Sequence, residues 1–106
     1  MVTEDVRQRL QLIVSELQNA AQQVAAVSGQ IKELEGTIEL LASQEDDRAV
    51  YRQSGPLLLE VKDREQLKED LRTSVDTLKE HAERLTSQEE NFRQQYDEMV
   101  KQFEGS

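Results

Sequence analysis

The only histidine, His81, has Glu80 and Glu83 beside it, and this trio is the nearest approach to a metal or acid–base site. A lone His on a charged helix is ordinarily a solvated side chain, and a zinc site needs three or four converging ligands. Two carboxylate pairs, Asp46-Asp47 and Glu89-Glu90, lie on polar stretches. They would serve acid–base chemistry only where a pocket shifted a pKa. There is no cysteine, hence no disulfide and no thiolate ligand. Gly29 and Gly36 stand apart and form no phosphate-cradling loop. Catalytic, cofactor-binding and metal-binding residues are therefore expected to be none, and the protein is expected not to be an enzyme.

The chemistry that remains is apolar association, and it is concentrated in Val50-Tyr51-Arg52-Gln53-Ser54-Gly55-Pro56-Leu57-Leu58-Leu59-Glu60-Val61. Two short runs rich in Val, Tyr and Leu flank a Ser-Gly-Pro turn, the pattern of a β-hairpin. Glycine supplies the positive φ that a tight turn needs, and proline cannot donate to a ladder. Val50, Tyr51, Leu57, Leu58, Leu59 and Val61 put apolar side chains on both faces. An isolated two-stranded hairpin is marginal in water, so this one is expected to pair with something, most simply with other copies of itself.

Composition says what carries the hairpin. The chain has 106 residues, of which 36% are hydrophobic, 4% aromatic and 33% charged. Globular domains run nearer 45–50% apolar and 25% charged, so long helices fit this chain better than an ordinary core. The formal net charge of −9 disfavours nucleic acid, which needs clustered Lys and Arg, and anionic membranes for the same reason. No basic-then-apolar leader opens the sequence, and no apolar run approaches the ~18 residues of a membrane span. A cytoplasmic protein with neither nucleic-acid nor membrane partners is the expectation.

The helices are written in the apolar spacing. Val6, Leu10, Ile13, Leu17, Ala20, Val24, Val27, Ile31, Leu34, Ile38 and Leu41 follow one another in alternating steps of four and three. This is an unbroken heptad seam, and it predicts a helical arm over residues 3–42, with Thr3 and Asp5 at its start. Gly29 and Gly36 fall on its outer side, and the polar run after Ala42-Ser43 should end it. A helix of forty residues is about 60 Å long and must lie against another. A second arm is predicted over 63–104, capped by Asp63 with Gln66 as a capping-box-like partner. Its seam is Leu71, Val75, Leu78, Ala82, Leu85, Glu89, Phe92, Tyr96, Met99 and Phe103. Leu67 stands one residue off register, so the first turn should splay towards the hairpin. Glu89 is the one polar seam residue, placed to snorkel out beside small Ala20.

The two seams mirror each other. Pair residues whose numbers sum to 109, and Val6 meets Phe103, Leu10 meets Met99, Ile13 meets Tyr96, and so on to Ile38 with Leu71. Only Leu41 opposite Lys68 fails. Parallel self-dimers require no such symmetry, whereas an antiparallel fold-back does. The expected fold is mainly α. It is a long antiparallel two-helix coiled coil with one β-hairpin (48–61) at the connecting end, a single domain over 1–106 that oligomerises through the hairpin. At the open end, Val2, Val6 and Leu10 face Met99, Val100 and Phe103. Two helices cannot cover large rings from all sides, so apolar surface should remain there, with Val2, Val100 and Phe103 the most exposed.

Helix, single hairpin, helix, with Val50-Tyr51-Arg52 ahead of Gly55-Pro56-Leu57-Leu58-Leu59-Glu60-Val61, resembles the β-type subunit of prefoldin. Leu85-Thr86-Ser87-Gln88-Glu89 leading into Phe92 is similar to a run in that subunit's second helix. The hairpin is the specific part, and the short end at Gly105-Ser106 departs from the pattern. The resemblance implies an ATP-independent holdase chaperone of two α-type and four β-type subunits, assembled through hairpins into β-barrels. Its six coiled-coil tips would capture unfolded client proteins and pass them to a group II chaperonin. The assembly residues would then be Val50, Tyr51, Leu57, Leu58, Leu59 and Val61. The client-binding residues would be Val2, Val6, Leu10, Met99, Val100 and Phe103. The alternative is a passive structural or tethering coiled coil oligomerised through its hairpin, and the apolar open end favours the chaperone.

Overall fold

The structure, a computed structural model, describes residues 4–105. Its elements run α1 (Glu4–Ser43), β1 (Tyr51–Ser54), β2 (Leu57–Glu60) and α2 (Arg64–Gly105). Two long helices with one antiparallel hairpin between them is the fold class that the heptads and the turn predict. Thr3, expected near the start of the first arm, lies outside the described residues.

Packing divides the chain into two compact units, one made of the chain up to Ser28 together with Glu80 onward, the other of Gly29–Lys79. In the first, the beginning of α1 runs beside the end of α2, since Ile13 lines one groove with Met99 and Gln95. Ala20, Val27 and Leu85 are its buried residues. The rest of the seam there (Val6, Leu10, Ile13, Leu17, Val24, Ala82, Glu89, Phe92, Tyr96 and Met99) is half-buried. A seam between only two helices leaves each side chain open on one flank, so few positions become fully dry. In the second unit Leu41 and Val75 are buried, Ile31, Leu34, Ile38, Leu71 and Leu78 are half-buried, and Lys79 Nζ reaches Glu35 Oε2 on the other helix at 3.8 Å.

Lys68 resolves the one mismatch in the mirror. Its side chain is only 19% exposed, with Nζ held 3.2 Å from Glu65 Oε1, so its aliphatic stem is largely covered while the charge is met on its own helix. Helix starts and stops follow local chemistry. Asp63 caps α2, accepting the Gln66 backbone N–H on Oδ1 at 3.0 Å. The reciprocal half of the expected capping box does not form, because Gln66 Nε2 donates instead to Asp70 Oδ1, one turn on, at 2.9 Å. At the end of α1, Ser43 Oγ donates to the Leu40 carbonyl at 3.0 Å. The connecting loop is tied down by Arg64 Nη1, which donates to the Glu45 carbonyl at 3.0 Å.

Candidate functional site

The hairpin pairs Tyr51 with Glu60, Arg52 with Leu59, Gln53 with Leu58 and Ser54 with Leu57, leaving Gly55-Pro56 as a two-residue loop. Gly55 takes φ +57°. Since the proline ring fixes Pro56 at negative φ, this is the glycine-first pattern of a type II′ turn, whose twist suits a hairpin. The ladder continues one pair beyond the strands, the Val61 N–H donating to the Val50 carbonyl at 2.8 Å. Antiparallel pairs alternate between bonded and non-bonded. Hence Val50, Arg52, Ser54, Leu57, Leu59 and Val61 bond inward. The backbone groups of Tyr51 and Gln53 point outward from β1, and those of Leu58 and Glu60 outward from β2.

All eight strand residues are exposed. Directly opposed residues share a face, so Leu57 and Leu59 lie on the face of Val50 and Val61, while Leu58 and Tyr51 share the other. Leu58 is 70% and Tyr51 58% exposed. Val50 and Val61 are half-buried. Beside β1 lies a mainly apolar groove of about 490 Å³ with Leu40, Leu41, Leu67 and Leu71 in its lining. Leu67 thus turns to the hairpin side, as its off-register position predicts. Sequence reasoning missed Leu40, which is 72% exposed. The signal was available, since a leucine outside the heptad positions has no seam to enter.

The other apolar surface belongs to the unit that holds both chain ends. Val6, Leu10, Met99 and Val100 are half-buried, Phe103 is 43% exposed, and Val2 lies outside the described residues. Val100 is more covered than expected. Phe92 and Tyr96 are half-buried in the seam, the place their spacing assigns them. Leu12, another off-seam leucine, is 60% exposed and lines a groove with Ile13 and Met99, rimmed by Arg9, Glu16 and Glu98. His81 is exposed, and among the described residues no three His, Cys, Asp or Glu side chains converge as metal ligands would. Among them, too, no helix is long and apolar enough to cross a membrane.

A family model for prefoldin subunits matches residues 4–104. Among solved structures, the chain is similar to the prefoldin beta subunit from Thermococcus strain KS-1. That likeness has a TM-score of 0.87 at 21% identity, covering 99% of this chain and 94% of that one. It is also similar to the prefoldin beta2 subunit from the same strain, with a TM-score of 0.75 at 23% identity over 87% of this chain and 97% of that one. At these identities the likeness is one of fold. No curated protein sequence matches the chain.

Proposed function

The chain belongs to the prefoldin subunit family and has the fold of prefoldin β subunits, and from that premise we propose that it works as an ATP-independent holdase. In this reading the hairpin joins it to other prefoldin subunits, two α-type with four β-type. The apolar residues near the chain ends hold unfolded clients and release them to a group II chaperonin in the cytoplasm. No catalytic or cofactor chemistry enters the reading.

The observation that carries it is the family match, which runs from the first turn of α1 through the hairpin to the last turns of α2. Physical support comes from the two apolar surfaces. Val50, Tyr51, Leu57, Leu58, Leu59 and Val61 are the assembly residues we assign. Val2, Val6, Leu10, Met99, Val100 and Phe103 are the client-binding residues, with Leu12 added by its exposure. Several weak apolar ends held on one base gain affinity through effective concentration rather than one tight site. A passive tether has no use for Leu12 and Phe103 in water.

The test is aggregation of an unrelated, chemically unfolded enzyme, followed by light scattering without nucleotide. The chain, alone and reconstituted with a two-hairpin subunit, should suppress scattering. Removing residues 1–12 and 96–106 should abolish suppression while the remainder stays helical. Full activity after that truncation, or none from the intact assembly, would sink the proposal.

A further inference from the structure

The chain-end unit holds a groove of about 400 Å³ whose lining includes Leu12, Ile13 and Met99. Leu12 is 60% exposed, so the apolar part of this groove is open to water. In the same lining two carboxylates, Glu16 and Glu98, stand against one cation, Arg9. Glu16 is half-buried, and none of the ion pairs among the described residues uses any of these three. A carboxylate partly withdrawn from water and without an ion partner favours a ligand that brings a cation.

The helix ends act in the same direction. α1 begins with Glu4 and Asp5, which offset the positive end of its dipole. The last turn of α2 carries no basic residue, so nothing there offsets the negative end. Met99 and Gln102 of the groove lie in the last two turns of that helix.

Resting on the reading that the chain ends hold clients, we propose that this groove selects among them by charge. It takes apolar segments flanked by lysine or arginine and rejects those flanked by acidic residues. The apolar part of such a segment covers Leu12 and Met99 while its cations reach Glu16 and Glu98. Apolar burial then sets how tightly a segment is held, and charge sets which segment it is. One exposed ion pair is weak, but several chain ends on one base present the same rim repeatedly to one client. The net charge of −9 attracts cations at long range wherever they are, whereas the groove carboxylates act at contact distance.

The experiment uses the full chain assembled with a two-hairpin subunit. Labelled peptides share one apolar core and differ only in flanks of lysine, serine or glutamate, and fluorescence anisotropy reads their binding. At low salt the lysine-flanked peptide should bind about tenfold or more tightly than the glutamate-flanked one. High salt should shrink that ratio, since exposed charges are screened. Glu16→Gln with Glu98→Gln should collapse the ratio at low salt. Glu39→Gln with Glu69→Gln removes the same charge outside the chain-end unit and should leave the ratio near that of wild type. Circular dichroism checks that every variant stays helical.

Three peptides bound alike, or a ratio lowered equally by both pairs of substitutions, would overturn charge selection by the groove and leave client capture standing. If no peptide binds, or if Leu12→Ser with Phe103→Ser leaves binding of all three unchanged, capture at the chain ends fails and the selection fails with it.

Discussion

Arg93 Nη2 donates to Glu89 Oε1 at 2.9 Å along the same face of α2. The one acidic residue in the seam is thus answered from its own helix, one turn on. Its side chain is 20% exposed, and the mirrored spacing pairs it with Ala20, which is buried. Replacing Glu89 by Leu should therefore complete the apolar seam and raise stability by about 1 kcal/mol. Arg93→Gln should cost no more than about 0.5 kcal/mol. Thermal unfolding by circular dichroism measures both. A marked loss on Glu89→Leu would mean that the carboxylate sets helix register, the use for which single polar seam residues are known.

Assembly should be separable from helix formation. Leu57→Glu with Leu59→Glu adds charge to a strand whose residues are all exposed, so it should leave helicity intact and yield monomers or smaller oligomers by light scattering. A mass equal to wild type would contradict the assembly role of the hairpin.

Gly29 and Gly36 interrupt α1, and a Cβ built at either meets nothing within 4 Å. Each Gly→Ala change should stabilise by roughly 0.5–1 kcal/mol through helix propensity. Denaturant unfolding would register the gain as a higher midpoint at unchanged slope.

Asp63 is the single side-chain cap of α2 among the described residues. Because Gln66 does not reciprocate, removing the aspartate leaves no second half of a capping box to compensate. Asp63→Ala should cost about 1 kcal/mol, and faster amide exchange in the first turn of α2 would localise the loss.

At the chain-end unit, Leu12→Ser with Phe103→Ser should leave the melting temperature within a few degrees of wild type, since both side chains are exposed. Suppression of client aggregation should fall several-fold. An unchanged suppression would remove these residues from the binding surface.

Heptad spacing by itself determined two long helices, and the turn at Gly55-Pro56 determined the single hairpin, because backbone geometry and apolar periodicity are local properties. The mirrored seam also determined the direction in which α2 returns, since only a fold-back matches Leu10 with Met99 and Ile38 with Leu71. What the sequence did not decide was exposure. Lys68 reads as a mismatch until its side chain is found largely covered, with its charge on Glu65. Gln66 reads as half a capping box until its amide is found on Asp70. Leu12 and Leu40 carry a signal in the sequence, standing outside the heptad positions, but the grooves they line appear only in the packed structure. Burial is a property of what comes to lie alongside, so the two grooves existed only once the helices and the hairpin were packed together.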